Sequence, residues 1–96
     1  MEIKGKEIQL KKSFRSIVLY EQITDKPFEP KTISEMLIYF YCVVIASNKE
    51  LNITFEEFID ELDKNSELFN EFNQWLVSQN AQEELINGVK KKTENK

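Results

Sequence analysis

The sequence predicts an α+β fold that is mostly α: an N-terminal β-hairpin followed by a bundle of about four short helices. Three observations carry this expectation. Only two glycines and two prolines occur in 96 residues, too few for the many tight turns of an all-β fold. Period-two alternation is confined to the first ten or so residues. Two capping boxes, Thr32-Ile33-Ser34-Glu35 and Thr54-Phe55-Glu56-Glu57, each introduce an apolar helical pattern.

The first element is Glu2-Ile3-Lys4-Gly5-Lys6-Glu7-Ile8-Gln9-Leu10. Ile8 and Leu10 share one face, and Glu7, Gln9 and Lys11 share the other. Gly5-Lys6 is read as the two-residue turn, because glycine accepts the positive φ such turns require. A hairpin alone is marginal in water, so it must lie on the helices or pair with another chain.

Ser13 is expected to cap a helix over about Phe14 to Thr24, with Phe14, Ile17 and Val18 as its apolar stripe, widened by Leu19 and Ile23. Asp25-Lys26-Pro27 should end it, since the residue before proline is pushed out of helical geometry. The box at Thr32 opens Met36–Ala46, an eleven-residue apolar run. Its β-branched and aromatic residues would also suit a buried strand; length and the box favour a helix, apolar all round and therefore central. After the second box, Phe55, Phe58, Ile59 and Leu62 follow helical spacing, with Ile53 set to pack on Phe58 as a hydrophobic staple. Asn65 or Ser66 caps a fourth helix bearing Leu68, Phe72, Trp75 and Leu76. A single domain is expected over residues 1–88, with a short turn at Ala81–Gly88 and a disordered basic tail over 89–96.

Composition restricts function. The chain carries 13 basic and 17 acidic residues, net −4, which disfavours nucleic acid, since phosphate binding is driven by excess Lys and Arg. The charge is segregated. Met1–Arg15 holds five basic and two acidic side chains, and Glu50–Glu71 holds eight acidic side chains against Lys64 alone. Such asymmetry suits steering between proteins. No apolar run reaches the ~18–20 residues of a membrane span. Met1–Lys12 lacks the apolar core of a signal peptide. Cys42 has no cysteine to pair with, and a cytoplasmic protein is expected.

No catalytic, cofactor or metal site is expected. Histidine is absent, removing the commonest general base and metal ligand, and Cys42 reads as a small core hydrophobe. Asp63-Lys64-Asn65-Ser66-Glu67 opens like a calcium loop, but Leu68 stands where the turn needs glycine and Gln74 where the bidentate Glu belongs. The acidic cluster Glu56, Glu57, Asp60, Glu61 and Asp63 is either a solvated helix face or a docking surface for a basic partner. Glu56–Asp60 and Glu57–Glu61 are like-charge i,i+4 pairs, each unfavourable by roughly 0.2–0.5 kcal/mol, which a basic partner, or Lys64, would relieve. Among the clustered aromatics Phe55, Phe58, Phe69, Phe72 and Trp75, core is the default role. Some can face outward as anchors. The candidate partner-binding residues are therefore Glu56, Glu57, Asp60, Glu61, Phe69 and Trp75.

Taken in order, the charged hairpin, Ser13-Phe14-Arg15-Ser16, Leu19-Tyr20-Glu21-Gln22-Ile23-Thr24, Lys26-Pro27-Phe28, Tyr41-Cys42-Val43-Val44-Ile45-Ala46 and Ile53-Thr54-Phe55-Glu56-Glu57-Phe58-Ile59-Asp60 resemble the tail assembly chaperones of long-tailed bacteriophages and prophages. The resemblance runs from about Met1 to Leu76. It implies a non-enzymatic protein of the bacterial host cytosol that coats the tape-measure protein and helps recruit tail-tube subunits. It names no site residues, and a homo-oligomer stays open. Many members of that family are made in a second, longer frameshifted form, for which Lys90-Lys91-Lys92 is the expected place here; a plain solubilising basic tail is the other, favoured reading of these lysines. Without the resemblance, the residues support a generic intracellular protein-binding adaptor or regulator. A small DNA-binding helical regulator is disfavoured by the acidity.

Overall fold

A computed structural model describes residues 1–79. The expectations for Ala81–Gly88, for the 89–96 tail and for Lys90–Lys92 lie outside these residues. The architecture is the α+β, mostly α arrangement expected, a two-stranded antiparallel hairpin followed by four helices. β1 is Glu2–Ile3, β2 is Lys6–Glu7, and the helices are α1 (Phe14–Thr24), α2 (Ile33–Ser47), α3 (Phe55–Lys64) and α4, described over 67–79. The chain divides after Ser66 into two compact units.

In the first unit the hairpin pairs Ile3 with Lys6 and Glu2 with Glu7. The turn is therefore Lys4-Gly5, one residue earlier than Gly5-Lys6. Lys4 (φ 53°) and Gly5 (φ 74°) are both left-handed, the requirement of a two-residue turn with positive φ at both central positions. Glycine takes the second of them. Lys4 is held in the costlier first one by contacts to α3 described below.

α1 begins and ends as expected. The Ser13 hydroxyl accepts from the Ser16 N–H at 3.2 Å, and the Ser16 hydroxyl donates back to the Ser13 carbonyl at 2.7 Å. The C-terminal stop is Asp25 itself, left-handed at φ 54°, with its N–H on the Glu21 carbonyl; aspartate tolerates this conformation better than most residues. The buried face of α1 differs from the expected stripe. Ser16 and Tyr20 are fully buried, while Phe14, Val18 and Ile23 are 87%, 49% and 50% exposed. The reason lies in the α1–α2 connection and in α2. Tyr20 meets Phe28 and Tyr39 edge-on, at centroid distances of 5.2 and 6.4 Å, and an aromatic nest of that kind outweighs a stripe of aliphatics.

α2 is the central helix of this unit, in contact with both α1 and α3, and it buries Tyr39, Phe40, Cys42, Val43 and Val44. The Lys11 N–H on Ser47 Oγ at one end and the Tyr20–Tyr39 contact farther along set α1 and α2 antiparallel. α3 packs through Phe58, edge-on to Phe40 at 4.8 Å, and Tyr41 adds ring contacts to Phe55 and Phe58. The Tyr41 hydroxyl donates to the Ile53 carbonyl at 2.7 Å, tying the loop before α3 to the middle of α2. In the second unit, Leu68 and Phe72 are buried, and Phe72 stacks on Trp75 at 5.7 Å. No helix among the described residues is long and apolar enough to cross a membrane.

Candidate functional site

Both capping boxes form as the sequence predicts. Thr32 Oγ1 accepts from the Glu35 N–H and Glu35 Oε1 from the Thr32 N–H, at 3.1 and 3.0 Å. Thr54 and Glu57 repeat the exchange at 3.1 and 2.9 Å. The second box begins the acidic face of α3, and the structure divides that face in two.

Glu57 and Glu61 are engaged within the fold. Lys4 Nζ donates to Glu57 Oε2 at 3.2 Å, and the Lys4 N–H donates to Glu61 Oε1 at 3.0 Å. Lys64 adds an ion pair to Glu61 at 3.5 Å. The like-charge pair Glu57–Glu61 is thus spanned by the hairpin tip, and the basic partner anticipated for it is this chain's own Lys4. The Thr54 N–H first, and Lys4 after it, hold the Glu57 carboxyl below the ordinary glutamate value of 4.5. Glu56 and Asp60 are exposed, and Asp60 lines the shallow cleft that Lys4, Glu57, Glu61 and Lys64 also border.

The two aromatic candidates, Phe69 and Trp75, are half-buried on α4, in the second unit. Trp75 spends one ring face on Phe72. The six candidate residues therefore comprise two structural carboxylates, two solvated ones and two partly covered rings.

A second strap holds the segment after the hairpin. Asn48 Oδ1 accepts from the Gln9 N–H at 3.0 Å and Asn48 Nδ2 donates to the Gln9 carbonyl at 2.9 Å, so one side-chain amide completes the backbone pairing that a third strand would supply. Cys42 is fully buried, and burial pushes its thiol up to about 11, far from the thiolate a nucleophile needs. Among the described residues no cluster of three or more acidic or sulfur ligands is placed to hold a metal ion.

Sequence reasoning missed the exposed apolar side chains of α1. Phe14 is the most exposed large hydrophobic residue in the described structure. Its signal was present in the sequence: Phe14 and Val18 sit at i and i+4 beside Lys11, Lys12 and Arg15, a basic border unlike that of a core stripe. No family model, no curated protein and no solved structure matches the chain.

Proposed function

We propose that the chain is a phage tail assembly chaperone, a non-enzymatic protein-binding module of the bacterial host cytosol that covers the tape-measure protein and helps recruit tail-tube subunits. The observation that carries this reading is the ordered series of segments from Ser13-Phe14-Arg15-Ser16 to Ile53–Asp60, which resembles that family over most of the chain. Two physical features support it. The sequence holds no histidine and its one thiol, Cys42, is buried, and these are the groups that nucleophilic or acid–base chemistry most often uses. The first unit also displays large apolar side chains on its surface, as a protein that covers another protein must.

The test is co-expression with the product of a neighbouring gene. A very long, helix-rich reading frame just downstream is expected, and its product should be soluble and co-purify only when this chain is present. A downstream protein that stays insoluble with and without the chain, or the lack of any such gene nearby, would remove the chaperone reading.

A further inference from the structure

The outer face of α1 is a surface that neither the hairpin nor α2 uses. Phe14 in the first turn is 87% exposed and Val18, one turn on, is 49% exposed; the i,i+4 spacing sets them on one ridge. Three exposed cations border its N-terminal end, Lys11, Lys12 and Arg15. Lys11 and Arg15 form no ion pair among the described residues. The first turn of α1 holds no acidic residue and carries Arg15 instead, opposite to what the helix dipole favours. The choice weakens the helix slightly and leaves its outer end strongly positive. Sequences that break a local rule in this way commonly do so at functional surfaces.

We propose that this face, an extension of the protein-binding reading above, docks an amphipathic helix whose apolar stripe is bordered by carboxylates. A convex i,i+4 ridge fits the groove between side-chain rows of another helix, whereas an extended strand would have no backbone edge to join. Lys11 and Arg15 select an acidic border, which steers encounter and fixes register. A membrane surface fits less well. Tyr20 and Ser16 face inward, so α1 offers only a narrow apolar ridge, short of the broad face an interfacial helix buries in lipid. Nucleic acid is disfavoured by the net charge of −4.

Two synthetic helical peptides with the same leucine stripe, one bordered by glutamates and one by lysines, test this by calorimetric titration of the full chain. The glutamate-bordered peptide should bind, more weakly as salt rises, and the lysine-bordered peptide should not. Phe14→Ser and Arg15→Glu should each weaken binding by about tenfold or more, with melting temperatures like that of the parent, because both side chains project into solvent. Equal binding of the two peptides, no binding of either, unchanged affinity in both variants, or binding to phosphatidylglycerol vesicles in place of the glutamate peptide would overturn the proposal. The chaperone reading is separated by adding Phe14→Ser to the co-expression experiment. If the parent and this variant solubilise the downstream protein alike, the surface fails and the chaperone reading stands. If the parent solubilises nothing while the peptide titrations hold, the surface stands alone.

Discussion

The Tyr20 hydroxyl is the one buried side-chain polar atom among the described residues left without a hydrogen-bond partner. Its ring is well used, edge-on to Phe28 at 5.2 Å and to Tyr39 at 6.4 Å, with Phe28 and Tyr39 themselves 4.8 Å apart. Its oxygen is not. Burial pushes the phenol above its ordinary value, and the nearby Glu35 carboxylate adds to the shift. An unsatisfied buried hydroxyl costs roughly 1–3 kcal/mol, and removing it without disturbing shape recovers part of that. Tyr20→Phe keeps every ring contact, so it should stabilise the protein by about 1 kcal/mol, raising the melting temperature by roughly 4–8 °C for a chain of this size. A lower melting temperature in Tyr20→Phe would show instead that the hydroxyl contributes to the native state.

At the scale of elements, stability is concentrated in the helix starts. Thr54→Ala removes the acceptor of the Glu57 N–H and should cost about 1 kcal/mol, whereas Thr54→Ser should cost a few tenths at most. Urea denaturation would read this as a lower midpoint with an unchanged slope; equal losses in the two variants would mean that the methyl group rather than the hydroxyl matters. These caps were legible in the sequence because a capping box is a four-residue pattern whose partners lie three positions apart. Helix α1 was legible in extent for the same reason, with Ser13 before it and Asp25 after it. Its buried face was not legible. Phe14, Ile17 and Val18 are the more hydrophobic set, yet Ser16 and Tyr20 are the buried one, since the choice is made by Phe28 and Tyr39 on neighbouring elements. The hairpin turn was displaced by one residue for a similar reason. Lys4 adopts its left-handed conformation against carboxylates more than fifty positions away in sequence, and no local pattern records that. The same contacts explain the partial outcome for the candidate site: the acidic cluster was visible, but the cation that occupies half of it was not.

Across the first unit, segregated charge closes the fold. The basic N-terminal segment and the acidic α3 meet where Lys4 contacts Glu57 and Glu61. A second carboxylate, Glu35, gathers the connection between α1 and α2, accepting the Lys31 and Thr32 N–H groups at 2.9 and 3.0 Å and lying 3.8 Å from Lys26 Nζ. The backbone N–H of Lys31, then that of Thr32, hold the Glu35 carboxyl below 4.5, as the Thr54 N–H and Lys4 do for Glu57. Both folded values are depressed, so the folded chain binds these two protons less readily than the unfolded chain. Their stabilisation is complete above the ordinary value of 4.5 and is lost as pH falls through it towards the folded values. Thermal melts should therefore be nearly flat from neutrality down to about pH 5 and fall steeply below it. Glu35→Gln with Glu57→Gln should melt lower at neutral pH and lose much of that steepness, its curve approaching the parent's at the acid end. A double variant whose melting temperature fell in parallel with the parent's over the whole range would place the acid sensitivity elsewhere. Amide signals resolve the two carboxylates: acid should release the Thr54 N–H as the second capping box opens, and the Lys31 N–H as the α1–α2 connection loosens, each tracking the titration of its own glutamate.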